Sequence, residues 1–278
     1  NLHQSNILGN HISYNNGGGI KVLASEIRNL QISGNDIEYN FDVNAGESAD
    51  VWIETLSSSA REGTIVGNTI QALPSPGGAN IRIRGLDAEN PRRAGNWAIS
   101  GNLISSQMIN IHLQFVRGVA ISGNSLFSGH DRNIRVEDTS CIALGANTVD
   151  RHPDYRAPEG GGIEIIRSRD CTVSGAVVSE SAPLHADGAI RLQDSRNISI
   201  TGCQIPSPQG SGVHVVRCSN TTITSCVISA DEGKSGLTHG VRIEDSTGIL
   251  VHANVVAGHS GQAVTVENSR VEQPRNDP

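Results

Sequence analysis

The chain is a succession of short runs in which branched apolar residues alternate with polar ones. Between Gly188 and Ile205, Ile190 and Leu192 flank Arg191, Ile198 and Ile200 flank Ser199, and the small residue Gly202 precedes Ile205. Alternation with a period of two sends apolar side chains to one side of a strand and polar ones to the other. The first run recurs as Ile20/Val22, Val51/Ile53, Ile81/Ile83, Ile111/Leu113, Ile134/Val136, Ile163/Ile165, Ile190/Leu192, Val213/Val215, Val241/Ile243 and Val264/Val266. The second is anchored at Ile7, Ile32, Ile65, Ile99, Ile121, Leu144, Val173, Ile200, Ile223 and Val251. Successive anchors are 22 residues apart at the closest (Ile99 to Ile121) and 34 at the widest (Ile65 to Ile99). Ten copies in one fixed order predict a solenoid.

Two residues after each anchor stand Gly9, Gly34, Gly67, Gly101, Gly123, Ala146, Gly175, Gly202, Ser225 and Ala253, all small. The next position holds Asn10, Asn35, Asn68, Asn102, Asn124 and Asn147, then Ala176, Cys203, Cys226 and Asn254. A small residue lets the backbone bend sharply, and an asparagine tolerates the left-handed region while its amide bonds the coils above and below. A corner with an internal asparagine ladder is expected. One coil cannot stand alone, because ordering each residue costs ~1–2 kcal/mol and each inward aliphatic side chain returns only ~1.5–3 kcal/mol. Stacking closes a shared core, and ten coils at the parallel-strand spacing make a rod about 40 Å long.

The pattern Gly-Asn-x-Ile, a variable loop, Gly-Ile-x-Ile and then Asp-Ser resembles the right-handed parallel β-helix repeat of the pectin-lyase-like superfamily. The resemblance implies an all-β, single-stranded right-handed parallel β-helix of about ten coils over residues 1–270, with 271–278 as a C-terminal tail. It also implies a polysaccharide or oligosaccharide partner and a secreted, periplasmic or cell-surface location. The superfamily holds lyases, hydrolases, epimerases, tailspikes, adhesins and binding proteins, so activity must be read from the site. The Asp-Pro-His motif of alginate epimerases is absent, since this chain has Arg151-His152-Pro153-Asp154. The Gly-His-Gly with Arg-x-Lys of polygalacturonases and the glycine-rich calcium nonapeptides are absent too.

Composition narrows the partners. Hydrophobic content of 36% with only 3% aromatic suits thin coils filled by Ile and Val. A net charge of −7 argues against non-specific nucleic-acid binding, and no apolar run is long enough for a membrane helix. Asn1 already lies inside a coil, and an uncovered first coil exposes strand edges. A processed or excised chain is therefore expected, with a preceding portion or a partner, such as another copy in a homo-oligomer, covering that coil. Cys171 and Cys218 point inward by register, whereas Cys203 and Cys226 share the asparagine column in adjacent coils. Their spacing permits a disulfide; stacked free thiols are the alternative. No Cys or His pair has zinc spacing. No cofactor is implied, and the scattered loop acids give calcium no defined ligand set. Gly233-Lys234-Ser235 resembles the end of a phosphate loop, but Ile228 replaces the first glycine.

Candidate chemistry lies on the polar side of the first run. The residues between its inward positions are Lys21, Trp52, Arg82, His112, Arg135, Glu164, Arg191, His214, Arg242 and Thr265. Stacked, they form an outward column one strand spacing per step, and an electropositive stripe is expected. A second column two places on holds Leu23, Glu54, Arg84, Gln114, Glu137, Ile166, Gln193, Val216, Glu244 and Glu267. The same columns also read as solubilising pairs, Arg135 with Glu137 and Arg242 with Glu244. Polar loops at 38–50, 84–96, 150–162, 179–188 and 229–240 are expected to wall the face from one corner; they carry Glu47, His152, Tyr155, Arg156, Glu180, His185, Asp187, Glu232, Lys234 and His239.

A row of guanidiniums suits the carboxylates of an anionic polysaccharide. Proton abstraction beside a uronate carboxylate, leading to elimination or epimerisation, needs a cation for the developing negative charge and a base within reach. Catalytic candidates are Glu164, His185, Asp187, Arg191 and His214; substrate-binding candidates are Arg82, His112, Arg135, Tyr155, His239 and Arg242. Hydrolysis by the carboxylate pair Glu164 and Asp187 is a competing chemistry, and a non-catalytic glycan-binding or structural module is the alternative class.

Overall fold

The computed structural model describes residues 1–90, 93–155, 157–185, 187–231 and 236–272. Arg156, Glu232, Lys234, the Gly233-Lys234-Ser235 tripeptide and the tail from residue 273 lie outside the described residues. Within them the secondary structure is almost all strand, with a 3-10 turn at Pro153–Tyr155. Every strand ladder is parallel, each strand pairing with its counterpart one coil away, as in Ile163–Ile166, Ile190–Gln193 and Gly210–Val216.

Each coil has three faces. The first run makes one sheet and the second run another. The long strands Gly18–Arg28 and Ser48–Val66 pass through the corner between these two, which joins them into one 21-stranded sheet. The third face is a 10-stranded sheet of three-residue strands such as Leu103–Ser105 and Gln204–Pro206. This third sheet goes beyond the two-run reading. Its inward column of Ile12, Ile37, Ile70, Ile104, Leu126, Val149, Val178, Ile205, Ile228 and Val256 stands five residues after each anchor. A strand of three residues shows only one inward side chain, too few to display a period.

The three inward columns meet in one continuous core, where Ile32, Ile65, Ile99, Ile121, Ile200 and Ile223 are fully buried. Cys171, Cys203, Cys218 and Cys226 belong to the same cluster, and all five cysteines are free thiols, so the alternative to a disulfide holds. Burial pushes the Cys171 and Cys218 thiols up to about 11. The last strand, Arg270–Glu272, still pairs with the preceding coil, so the rod takes in Val271 and Glu272, which were expected in the tail.

The asparagine corner forms as expected. Nδ2 of Asn10, Asn35, Asn68, Asn102 and Asn124 donates to Oδ1 of the next asparagine at 2.9–3.0 Å. The same Oδ1 atoms also accept the backbone N–H of the coil before. The left-handed residue is the small one before the asparagine. Gly202 has φ +63°, and Ser225 (+56°) and Ala253 (+54°) adopt the same conformation at a steric cost a glycine avoids, while Ala146 departs from it. After Asn147 the column holds Ala176, Cys203 and Cys226, and Asn254 resumes it by accepting the Cys226 N–H at 2.8 Å.

A second polar column was not anticipated. At the start of the first sheet, Asp50 accepts from Asn80 Nδ2 at 2.9 Å and from the backbone N–H of Asn40 at 3.0 Å. Asn110 continues the column by donating to Asn133 Oδ1 at 2.6 Å. Burial of the Asp50 carboxyl outweighs these donors and pushes it up to about 8 from its ordinary 3.8. A carboxyl with a raised folded value holds its proton longer in the folded state, so stability falls as pH rises from about 4 to about 8, by up to about 1.4 kcal/mol per unit. Asp50→Asn keeps the shape without the titration, and its urea midpoint is expected to lose that slope; superimposable pH curves for the two proteins would refute the assignment.

Candidate functional site

The first sheet stacks its outward residues as the repeat requires. Cα pairing runs Lys21, Trp52, Arg82, His112, Arg135, Glu164, Arg191, His214, Arg242, Thr265 without a slip. The second column, Leu23 to Glu267, is equally regular.

The column is not the open electropositive stripe that was expected. Arg82, His112, Glu164 and His214 are buried, and Arg135, Arg191 and Arg242 are largely covered. Cations brought this close and partly out of water need carboxylates beside them, and the loops and second column supply these. Arg82 meets Glu47 at 2.5 Å, and Arg84 meets the same carboxylate. Trp52 separates Lys21 from Arg82, with Lys21 Nζ 4.3 Å and Arg82 Cζ 5.1 Å from its ring. His112 lies 3.3 Å from Glu137; this bond, opposed by burial and joined by Arg167, lowers Glu137 to about 2. Burial together with Arg82 and Arg135 lowers the His112 imidazole, which favours its neutral form.

Glu164 is the hub of the middle coils. Its carboxylate meets Arg135 Nε at 2.8 Å, Arg191 Nη1 at 3.2 Å and Arg132 Nη2 at 3.4 Å. Burial favours its protonated form, but the three guanidiniums outweigh burial and hold it below the ordinary carboxylate range. Asp131 completes the cluster with a 2.7 Å bond to Arg135. Neither Asp131 nor Arg132 was chosen from the sequence. The signal was their place at the start of the first-sheet strand Arg132–Glu137. The anticipated pairing of Arg135 with Glu137 gives way to these closer partners, whereas Arg242 does pair with Glu244, at 2.6 Å.

Farther along, His214 lies between two carboxylates, 3.2 Å from Glu244 Oε1 through Nε2 and 4.0 Å from Asp187 Oδ2 at Nδ1. Asp187 is held by the Ser211 backbone N–H and hydroxyl, both at 2.7 Å. The next residue, Gly188, has φ +102°, and a Cβ there would come within 2.8 Å of His214 Cβ, so the loop reaches the imidazole only with glycine at that place. An antiparallel bridge between Gly160 and Ala182 ties this loop to 151–162.

The remaining candidates stand apart from this cluster. His185 is exposed and, among the described residues, makes no hydrogen bond or ion pair. Tyr155 is exposed and packs on Phe127, with ring centroids 4.7 Å apart. His239 Nδ1 is 2.9 Å from Thr265 Oγ1 at the end of the column. The loop 85–93 follows the first-sheet strand Gly78–Arg84 and precedes the second-sheet strand Ala94–Ser100, so it leaves from a different corner than the other long loops. Among the described residues no group of three or more His, Cys, Asp or Glu side chains is placed to hold a metal.

A family model described as right handed beta helix region matches residues 154–274. Solved structures extend the likeness over almost the whole chain. The A-module of an Azotobacter vinelandii mannuronan C-5 epimerase superposes with a TM-score of 0.59 at 10% identity, covering 95% of this chain and 81% of the module. The chain has the right-handed parallel β-helix fold. This β-helix also superposes on DFA-IIIase from Arthrobacter chlorophenolicus A6, with a TM-score of 0.59 at 12% identity over 96% of this chain and 82% of that one. For the enzymatically active domain of bacteriophage CBA120 tailspike protein 2 the TM-score is 0.53 at 11% identity, over 95% of this chain and 43% of that one. No curated protein matches in sequence.

Replacing the hub carboxylate tests the electrostatic arrangement. Glu164→Gln leaves three neighbouring guanidiniums without their common counter-charge and is expected to cost ~3–5 kcal/mol of stability. A second change, Arg132→Met, is expected to restore part of that loss. Urea unfolding of the single and double variants measures both effects, and additive losses would show that the hub does not exist.

Proposed function

We propose that this β-helix is a carbohydrate-active protein that acts on a uronate-containing polysaccharide by proton abstraction, with His214 as the base. The observation that carries this reading is the setting of His214. Its Nε2 lies 3.2 Å from Glu244 Oε1, a partner that favours the ring proton on that nitrogen, and the lone pair then falls to Nδ1, which is buried without a hydrogen-bond partner in the structure. Arg191 and Arg242 occupy the two neighbouring strands and can face the substrate carboxylate, whose charge grows as the adjacent C–H bond breaks. Asp187, 4.0 Å from Nδ1, favours the imidazolium that forms. Glu164 is held below the ordinary carboxylate range by three arginines, which does not suit the acid that hydrolysis by paired carboxylates requires. Elimination and epimerisation share the first step and differ in where the carbanion goes next. A mannuronan C-5 epimerase module among the similar folds supports the carbohydrate class.

One observation favours a second reading, a non-catalytic glycan-binding module. Arg82 is 2% exposed and Arg135 bonds two carboxylates, so these members of the column brace the sheet. Incubation with polygalacturonate and polymannuronate separates the readings. Ultraviolet absorbance reports unsaturated ends, and proton NMR reports inversion at C5. Turnover is expected, and His214→Ala is expected to reduce it by ~10²–10⁴-fold. Unchanged polymers, with binding retained, would leave the second reading in its place.

A further inference from the structure

The second sheet carries a column that the first-sheet chemistry does not use. Four residues before each anchor, the register stacks Arg28, Arg61, Gly95, Arg117, Ser140, Arg169 and Arg196, and the line continues through Ser219 and Thr247 to Arg270. Six arginines thus share one line on a chain of net charge −7. They are far less neutralised than those of the first sheet. Arg28 bonds Glu62 at 2.7 Å, Arg169 bonds Asp170 at 3.0 Å, and Arg117 reaches only Ser140 Oγ at 3.4 Å. Among the described residues Arg61, Arg196 and Arg270 make no side-chain hydrogen bond or ion pair, and Arg61 Nε is buried without an acceptor.

A groove of about 330 Å³ opens at the middle of the line. Ser140, Arg169, Arg196 and Ser219 form one wall, and Arg167 and Arg217 stand opposite at the Asp-Ser corner. The last two are held in forks by Asp138 and Asp194, at 2.6–2.8 Å. With Asp170, and with Glu137 as a further partner of Arg167, four arginines face four carboxylates, and Arg196 is the one of the four that makes no side-chain hydrogen bond or ion pair among the described residues.

We propose that this line of arginines is a binding track for a carboxylated polysaccharide lying along the rod, centred on Arg169 and Arg196. The guanidinium fork fits a carboxylate with two parallel hydrogen bonds, and the register sets the forks of Arg169 and Arg196 one strand spacing apart. Serine hydroxyls beside the forks suit a ligand rich in hydroxyls. The groove has no aromatic ring on which bases stack and no large apolar side chain to anchor a protein. The track lies on a different face from His214 and does not depend on chemistry there.

Calorimetric titration with polygalacturonate at low and high salt tests the track. The wild-type protein binds, more weakly as salt rises. Arg169→Ser with Arg196→Ser is expected to lose about tenfold or more in affinity, because two charge-assisted contacts are removed. Arg169→Lys with Arg196→Lys, which keeps the charges and loses the forks, falls between the two. Any turnover of a uronate trimer at the first face is unchanged in the serine variant, so failure of the track and failure of the His214 reading are separate results. Neutral dextran does not bind. The proposal is overturned if the wild type ignores polygalacturonate, if the serine variant binds it as the wild type does, or if a single-stranded oligonucleotide is bound more tightly at the same arginines.

Discussion

Parallel backbone hydrogen bonding between one coil and the next is the constraint on which every other feature depends. It fixes neighbouring coils at a single strand spacing, so residues two dozen or more positions apart in sequence become adjacent. The aliphatic columns then close a core that no single coil possesses, and a single asparagine per coil becomes a continuous ladder. The same geometry acts on charges without regard to their sign. Whatever occupies an outward position is set beside its counterpart above and below, and the fold must then live with the electrostatic result.

On the first sheet that result is neutralisation. Arg135 and Glu164 pair across adjacent strands, and Arg132, Arg191 and Asp131 gather around them. Loop acids are drafted in where the column has only cations, as with Glu47 beside Arg82 and Arg84. Pairs this close in a partly dry setting hold one another rigidly, and on the same face His214 sits between Glu244 and Asp187. The loop glycine at 188 and the bridge to 151–162 bring the wall down onto the imidazole.

Much of this was legible because a solenoid converts constant sequence offsets into columns. The two alternating runs, the small-then-Asn corner and the order of both outward columns follow from spacing alone. What escaped lies either in elements too short to show a period or across loops of unequal length. The third sheet shows one inward residue per coil, at a fixed five-residue offset that the period-two reading passes over. Asp131 and Glu47 reach the column from loops and Arg132 from the first position of its strand, and no offset announces which loop acid meets which arginine. Burial was the larger miss, since a column drawn from sequence looks exposed until the loops are laid over it. The Arg28–Arg270 line, by contrast, sat at a constant four-residue offset and needed only to be stacked.

Comparing the two arginine columns separates stability from recognition. A guanidinium whose hydrogen bonds are spent on neighbouring carboxylates has little left for a ligand, and exchanging those partners for a substrate would cost what the pair had gained. The first-sheet arginines are in that condition, including Arg191 with Glu164 and Arg242 with Glu244 and Glu267. Arg196 on the second sheet has no such partner to give up. A polyanion would therefore displace least where the fold has left its cations unpaired, whereas the braced face holds a side chain such as His214 in one orientation between its partners. In a rod whose columns run the same length side by side, holding a polymer and transforming it need not be tasks of the same face.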